Sequence, residues 1–358
     1  MTTSARGSGD GQGGPLSSNA VASDDAGRVA TRRERVAGIL QRAGALVVLL
    51  AVIIVASLVF GGRFASVDNF LNILEASSFL GLVAVGMTFV IIGGGIDLSV
   101  GSLLALSAVL AAYGSQYGSV VAVALPLFVC GLIGLVNGLL IARARMAAFI
   151  ATLATLLFAR GLAFAVSDEG NTIFHIKAGL VVSALGQESL LGIRLPVVIA
   201  ATVFLAGWLA LTRSRYGTAV TAIGGSEDAS RLMGLPIARV KVAMYLVSGL
   251  LAGLAGLLVA ARSSSGQSTI GVGLELQAIA AVVIGGTLLT GGAGSIAGTL
   301  AGVLLLNVIN NVINQVGTLS SYFQQVVSGI FLIVVVLVQR YLSREQRLVS
   351  EDQNRGQP

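Results

Sequence analysis

The sequence predicts an all-α polytopic membrane protein with about ten transmembrane helices and both termini in the cytoplasm. The first observation is composition: 55% of the 358 residues are hydrophobic, 11% are charged, and the mean hydropathy is +0.91. Soluble domains carry about 25% charged residues. The second observation is that charges gather near the chain ends and in a few short segments. The stretches between them are long enough to be spans, because about 20 apolar residues cross a bilayer.

Three regions follow from the composition along the chain. Residues 1–40 begin with a stretch rich in Gly, Ser, Ala and Asp, without apolar periodicity, which predicts a disordered cytoplasmic tail. Residues 41–341 form the predicted transmembrane domain, and residues 342–358 form a cytoplasmic C-terminal tail. The apolar segments of the domain lie at 43–61, 76–94, 98–113, 119–142, 147–166, 195–212, 241–261, 275–291, 295–316 and 323–340.

The distribution of arginine and lysine gives the orientation and checks the number of spans. Cytoplasmic segments of membrane proteins carry an excess of these residues. Four basic-rich segments fall on one side only if ten spans separate the termini, so we place them all in the cytoplasm. The net charge of +6 comes from these membrane-flanking residues and does not predict a nucleic-acid partner. The four segments are 28–42, 143–145, 213–241 and 340–355.

The sequence lacks the motifs of an enzyme and of an ATP-binding protein. A P-loop needs a lysine directly after a glycine, but neither of the two lysines, Lys177 and Lys241, follows one. The sequence has no cluster of His, Cys and carboxylates with metal-ligand spacing, so we expect neither a metal nor a cofactor. We also expect no catalytic residue in this chain.

Glycines and one carboxylate interrupt the apolar stretch at residues 86–106. Glycines let a helix break and let backbones approach closely. A carboxylate at a helix centre costs roughly 2.5–3.5 kcal/mol unless it is capped, paired or hydrated. Asp97 therefore either caps the third span or acts as a gate or hinge contact that holds one conformation, and these two roles are compatible. The interrupting residues are Gly93, Gly94, Gly95, Asp97, Ser99 and Gly101.

The segment 212–241 is predicted to contain a short helix of about two turns. Ser226 is a good N-cap, Glu227 and Asp228 occupy the first turn, where acids suit the helix dipole, and Gly234 ends the helix. This helix is either a plug for a groove in a soluble partner or a connector with positive-inside charges. Its candidate functional residues are Ser226, Glu227, Asp228, Ala229, Arg231 and Gly234.

Polar side chains inside the later spans have two interpretations each. Four asparagines recur at i, i+3, i+4 and i+7 in the ninth span and therefore share one face. They either line an aqueous path for a polyhydroxylated substrate or hydrogen-bond to a neighbouring helix, at about 0.6 kcal/mol per contact. Arg160 in the fifth span and Glu275 at the start of the eighth are expected to snorkel or pair rather than to contact substrate. The four asparagines are Asn307, Asn310, Asn311 and Asn314.

Four segments of the chain form an ordered set of motifs. They are Gly94-Gly95-Ile96-Asp97-Leu98-Ser99-Val100-Gly101; residues 215–235; the glycine-rich residues 285–299; and Tyr322-Phe323-Gln324 with Gly329. Together they resemble the permease subunits of ribose-type ABC sugar importers, and the resemblance extends over residues 40–341. The glycines of the third segment are Gly285, Gly286, Gly291, Gly292 and Gly294.

The resemblance implies a bacterial inner-membrane permease that imports a monosaccharide by alternating access. The implied partners are a cytoplasmic ATPase with two nucleotide-binding modules, a periplasmic or lipid-anchored sugar-binding protein, and a second permease copy, identical or paralogous, in the same lipid bilayer. Residues 226–234 would be the coupling helix in the ATPase groove, residues 93–101 a gate or hinge, and the glycines at 285–294 a helix-packing element. The alternatives are the same architecture for a non-sugar solute, an ion-driven secondary sugar transporter, and a scaffold subunit without a substrate path.

Overall fold

The computed structural model describes residues 45–317 and four separate residues further on, at 326, 329, 330 and 333. The predicted tails at 1–40 and 342–358 and almost all of the tenth predicted segment lie outside these residues. The described part is predominantly helical. Its strands are four two-residue pieces in two antiparallel pairs: Phe174–His175 (β1) with Ser265–Gly266 (β4), and Ser189–Leu190 (β2) with Ile193–Arg194 (β3).

Seven helices of the described part are long and apolar enough to cross a membrane. They are α1 (Ala45–Arg63), α2 (Val67–Ile92), α4 (Ser119–Ala142), α5 (Ala148–Val166), α7 (Leu195–Arg213), α10 (Ile237–Ser263) and α12 (Ile296–Val316). The shorter helices are α3 (Val100–Gly114), α6 (Val181–Gln187), α8 (Arg215–Gly225), α9 (Glu227–Leu232) and α11 (Leu274–Ile284). The chain is therefore a mainly helical protein with several membrane spans.

Nine of the ten predicted apolar segments fall on helices, but two of these helices have bounds clearly different from the prediction. α2 begins at Val67 instead of 76, because the Ser66 hydroxyl caps it by accepting a hydrogen bond from the amide of Asn69 at 3.2 Å. α11 ends at Ile284 instead of 291, because Gly286 has a φ of +87°, through which a right-handed helix does not continue. With its 11 residues, α11 is about 16 Å long and crosses only about half of the hydrocarbon core.

The two ends of the helix bundle are easily told apart. At one end lie α8 and α9, together with the ends of α2 and α4 and the start of α10, and we call it the α9 end. At the other, the far end, β1 pairs with β4, and α6 contacts the segments next to it. The Val181 amide donates to the Ser119 hydroxyl there, and the Gln187 side chain donates to the Ser264 hydroxyl. α4 and α10 thus connect the α9 end to the far end.

α10 is the central helix and packs against α2, α3 and α4. Its contact with α4 is built from small residues. A Cβ placed on Gly138 would lie 2.7 Å from the Cα of Val242, and one on Gly253 would lie 2.8 Å from the Cβ of Cys130. Small residues let membrane helices approach until their backbones touch. The resulting van der Waals contacts stabilise the helix pair, because the hydrophobic effect does not drive helices together in lipid.

The segment between β4 and α11 turns back into the bundle along α3. At its start, a Cβ placed on Gly266 would lie 2.8 Å from the Cα of Val109. At its end, a Cβ placed on Gly271 would lie 3.4 Å from the backbone carbon of Gly101. Val109 and Gly101 are eight positions apart on α3, so the segment runs about 12 Å from the far end toward the α9 end. α11 therefore starts inside the bundle, at the depth where α3 starts.

A buried carboxylate holds three helices together toward the far end. Glu75 of α2 is 4% exposed. Its Oε1 lies 2.6 Å from Nε of Arg262, at the end of α10, and its Oε2 lies 3.1 Å from Nη1 of Arg194, directly before α7. The sequence analysis missed Glu75, because it lies before the apolar segment that was taken as the second span.

We expect the substitution Glu75→Gln to destabilise the folded chain by about 1–3 kcal/mol. Removing one partner of a fully buried ion pair costs about 3–5 kcal/mol, and the arginine side chains here are partly hydrated. The measurement is thermal unfolding of the purified protein in detergent, followed by circular dichroism. Glu188→Gln, which changes an exposed carboxylate toward the same end, is the control. Equal midpoints for the two variants would contradict the stabilising role of this cluster.

Candidate functional site

The break between α2 and α3 lies near the α9 end. α2 ends at Ile92, and Gly94 has a φ of +78°, which turns the chain out of the helical path. Seven residues separate the two helices. Close contacts hold this segment against α10: a Cβ placed on Gly93 would overlap the Met244 sulfur, and one on Gly95 would overlap the Tyr245 hydroxyl. Two of the predicted gate residues, Gly93 and Gly95, therefore pack directly against the central helix.

Three glycine-rich segments meet beside this break, and we call the meeting point the glycine junction (residues 92–94, 224–225 and 291–292). The amide of Gly292 donates to the Ile92 carbonyl at 2.8 Å. A Cβ placed on Gly224 of α8 would overlap that same carbonyl. Gly291 has a φ of +84°, and a Cβ there would lie 2.9 Å from the Gly224 carbonyl oxygen. The backbones of three distant segments are therefore in direct contact.

The carboxylate of Asp97 is completely buried, and both of its oxygens accept hydrogen bonds. Oδ1 accepts from the amide of Ser99 at 3.0 Å and from its hydroxyl at 2.6 Å. Oδ2 accepts from the hydroxyl of Ser248 on α10 at 2.8 Å. The network continues, since the Asn137 amide donates to the Ser99 hydroxyl at 3.1 Å and the Thr155 hydroxyl donates to Asn137 Oδ1 at 2.8 Å. Asp97 thus ties the break to α4, α5 and α10.

Asp97 was predicted either to cap α3 or to act as a gate or hinge contact. α3 begins at Val100 with Ser99 as its N-cap residue, and the Ser99 side chain makes no capping hydrogen bond. Asp97 lies two residues before that cap and bonds the amide of Ser99, which lies outside the helix. Because Asp97 also binds Ser248 on α10, its position fits a contact that fixes the break as well as it fits a helix cap.

The loop helix α9 has the cap that the sequence predicts. The hydroxyl of Ser226 accepts a hydrogen bond from the Ala229 amide at 3.2 Å. Gly234 has a φ of +75° and follows the helix, and the amide of Leu235 donates to the Ser230 carbonyl at 3.1 Å. Asp228 and Ala229 are exposed. α9 is a six-residue helix in the predicted place.

An ion pair anchors α9 to the start of α10. Oε2 of Glu227 lies 2.5 Å from Nζ of Lys241, and Oε1 lies 3.2 Å from Nη2 of Arg231. The hydrogen bond from Lys241 and the nearby Arg231 charge hold the pKa of Glu227 below its ordinary value, against a smaller effect of burial. Glu227 is therefore charged at neutral pH and binds within its own chain. Lys241 was predicted only as one of the basic residues of segment 213–241, and its pairing with Glu227, 14 residues earlier, was not predicted.

The tip of the loop presents apolar side chains to its surroundings. Leu232 is 90% exposed and Met233 is 67% exposed. They follow directly on α9, next to the exposed Arg231. Two large apolar groups at an exposed turn form a small surface suited to contact with another protein.

A cleft of about 620 Å³ separates this loop from the break. Its walls include the glycines at 93–95, Arg145 after α4, the charged side chains of Glu227 and Lys241, and Tyr245. The loop and the break therefore face one common space.

The predicted asparagine face lies on α12, and one of its members packs against another helix. Asn311 and Asn69 of α2 exchange two side-chain hydrogen bonds, at 2.8 and 3.2 Å. Asn307 donates to the Val303 carbonyl of its own helix at 3.0 Å. Asn310 is half-buried and Asn314 is exposed. The Asn311 pair matches the helix-packing interpretation, and it lies near the far end, away from the glycine junction.

The structure brings together three of the four predicted groups of residues. The break, the loop helix and the glycine-rich residues at 285–294 surround the glycine junction, whereas the asparagines do not. A Cβ on Gly285 would overlap the backbone of Gly298 on α12, a close contact of the kind that a helix-packing element requires. A Cβ on Gly294 would lie 2.8 Å from the Ile92 side chain. The functional residues that were not predicted from the sequence are Gly224, Asn137, Thr155, Tyr245 and Ser248.

Helices that start inside the bundle, beside a loop helix that adjoins their breaks, are typical of membrane transport proteins. Comparison with protein families shows to which family of transport proteins the chain belongs. The chain belongs to the family described as branched-chain amino acid transport system / permease component, which matches residues 69–336.

Curated relatives extend this match over most of the chain. The ribose import permease protein RbsC of Escherichia coli K12 is 43% identical over 298 residues, which cover 82% of this chain and 91% of that protein. RbsC of Bacillus subtilis is 41% identical over 305 residues, covering 85% and 94%. The L-arabinose transport system permease protein AraH of E. coli is 35% identical over 312 residues, covering 85% and 92%. No solved structure was found to match.

We expect Gly224→Ala to disrupt the glycine junction. The new methyl group would overlap the Ile92 carbonyl and the Gly292 amide, so the hydrogen bond between them would be displaced. Overpacking of this kind costs about 1–3 kcal/mol. The measurements are the thermal midpoint in detergent and solute uptake, both of which should fall.

Gly225→Ala is the matched control, because a Cβ on Gly225 meets nothing within 4 Å. Both variants replace a glycine of α8 by alanine, at neighbouring positions, so they differ only in whether the new methyl group has room. Equal behaviour of the two variants would show that the close contact at Gly224 carries no function.

Proposed function

We propose that this chain is the inner-membrane permease subunit of an ATP-driven ABC importer and that it carries a monosaccharide into the cytoplasm. The observation that supports this most directly is the glycine junction, where the loop helix α9, through α8, adjoins the break between two helices. The relatives named for ribose and arabinose import support the sugar as cargo.

In the proposed topology ten spans cross the membrane, both termini are cytoplasmic, and the α9 end faces the cytoplasm. The basic residues at 143–145 and 213–241 then lie on the inner side. ATP is hydrolysed by a partner subunit with two nucleotide-binding modules. A second copy of the permease, identical or paralogous, and an external sugar-binding protein complete the importer.

The loop helix α9 is the proposed coupling helix, and two routes lead from it to the break. One runs through α8, where Gly224 touches the Ile92 carbonyl and the Gly292 amide. The other runs through the ion pair of Glu227 with Lys241 to α10, whose Ser248 binds Asp97. A displacement of α9 by the ATPase would therefore move both sides of the break and convert one accessible state into the other.

The exposed Leu232 and Met233 are the proposed contact with the ATPase. We expect Leu232→Asp to reduce copurification of the ATPase, because an interface that buries a leucine cannot accept an unpaired carboxylate. Insertion of the chain into the membrane should be unchanged. The measurement is the ratio of ATPase to permease after affinity purification in mild detergent.

Leu191→Asp is the matched control, since Leu191 is 95% exposed in the turn between β2 and β3, toward the far end. It introduces the same charge away from the proposed interface and should leave the ratio unchanged. A normal ratio for Leu232→Asp would contradict the docking role of this loop.

Affinity purification of the unaltered chain from its own cells, followed by mass spectrometry, tests the proposal as a whole. Recovery of a two-module ATPase is the expected result. Uptake of labelled D-ribose, L-arabinose and L-leucine in cells with and without the chain then identifies the cargo class. Uptake of leucine alone would replace the sugar by an amino acid. A chain that purifies alone and moves sugar with an ion gradient would overturn the ABC assignment.

A further inference from the structure

Two charged residues, Arg160 and Glu275, lie far from both ends of the helix bundle. Neither takes part in the contacts of the glycine junction or of the loop helix. Arg160 lies twelve residues after the first residue of the 19-residue helix α5. It is therefore about 18 Å from one end of a helix that is about 28 Å long. Glu275 lies in the first turn of α11, which starts at the depth of the α3 start. Its carboxylate lies against α3, since a Cβ on Gly101 would overlap Oε2.

The contacts of Arg160 fix its position and leave part of its guanidinium available. Nη1 donates to the carbonyls of Ser268 at 2.8 Å and of Ile270 at 2.7 Å, on the segment that turns back into the bundle. Nε and Nη2 have no acceptor in the part of the chain that the structure describes. Glu275 is close enough to interact electrostatically with Arg160, although their charged atoms do not come within ion-pair distance. Both side chains are partly exposed.

A partly exposed ion at this depth is not compatible with surrounding lipid. A charged side chain near the centre of the bilayer costs about 2.5–3.5 kcal/mol or more when it faces hydrocarbon, so such groups face protein or a water-filled cavity. The surface next to Arg160 is open in the single chain: Leu157 is 65% exposed, Phe158 is 60% exposed, and a Cβ on Gly161 meets nothing within 4 Å.

We infer that Arg160 and Glu275 line the solute path and bind the hydroxyl groups of the sugar as it crosses the membrane. A sugar hydroxyl both donates and accepts hydrogen bonds. The free guanidinium N–H groups supply donors and the carboxylate oxygens supply acceptors. This inference rests on the proposed function. It assigns the substrate contact to α5 and α11, not to the asparagines of α12.

The accessibility of position 161 is the first test. Gly161→Cys places a thiol on the open surface beside Arg160 without a steric conflict. The unaltered chain is a suitable blank, because its single cysteine, Cys130, is buried. We expect a charged methanethiosulfonate reagent to label Gly161→Cys in the assembled transporter during turnover. Addition of D-ribose with the binding protein should slow this labelling.

Leu132→Cys on α4 is the matched control. Leu132 is 46% exposed and lies ten residues from the end of α4 at Ala142, about 15 Å away by helical rise. Phe128 and Val136 on the same face of α4 are also exposed and apolar, so we place this face against lipid at a similar depth, where a charged reagent does not reach. If Gly161→Cys is as unreactive as Leu132→Cys, or if D-ribose does not alter its labelling, the inference is overturned.

The second test is the number of sugar molecules moved per ATP hydrolysed, measured with the complete transporter in vesicles. Glu275→Gln keeps the side-chain shape and leaves the hydrogen bonds of Arg160 in place. We expect this ratio to fall about tenfold, the effect of one lost charge-assisted hydrogen bond, while assembly and ATP hydrolysis persist. Glu188→Gln, an exposed carboxylate toward the far end, should leave the ratio unchanged.

Sugar uptake by the unaltered transporter distinguishes a failure of the proposed function from a failure of the proposed substrate contact. If it moves no sugar, the proposed function itself is wrong. If it moves sugar and Glu275→Gln keeps the full ratio of sugar to ATP, the substrate contact at Arg160 and Glu275 is wrong and the proposed function stands.

Discussion

The constraint on which the rest of the structure depends is backbone contact at the glycine junction. A single hydrogen bond, from the Gly292 amide to the Ile92 carbonyl, joins segments that are 200 residues apart in the sequence. It can form only because Gly224 and Gly291 have no Cβ at the point of approach. The end of α2, the loop helix region and the start of α12 are positioned by this contact. Side chains of even the smallest size would separate them.

The buried carboxylate of Asp97 shows how a polar group can remain in an apolar region. Its oxygens accept three hydrogen bonds from Ser99 and Ser248, so that the cost of burial is offset within the chain. Serines of the break and of α10 supply all three donors, so Asp97 needs no bound ion to offset its burial and joins the break to α10. This arrangement favours an importer driven from outside its own membrane domain over an ion-driven carrier.

Hydropathy and capping rules predicted much of the fold, and they failed at two helix ends and where a contact spans a long distance in sequence. Ser226 and Gly234 were recognised because caps are local signals. The start of α2 was placed nine residues late, directly after Glu75, and only the arginines at 194 and 262 explain why Glu75 is buried. Likewise, the asparagine face could be read from the sequence, but the partner of Asn311 lies 242 residues away. Periodicity shows which residues share a face and does not show what that face meets.

The two ends of the bundle are held together by different contacts, and both suit the proposed mechanism. Toward the far end, Glu75 joins α2, α7 and α10 through ion pairs, whose directional hydrogen bonds resist relative movement. At the α9 end, the backbone contacts of the glycine junction lie beside buried side chains such as Ile223 and Met244, and the ion pair of Glu227 with Lys241 joins α9 to α10. Closely packed groups transmit a displacement to their neighbours. A push on α9 would therefore reach the break through the glycine junction and α10, while the ion pairs of Glu75 hold the far end together.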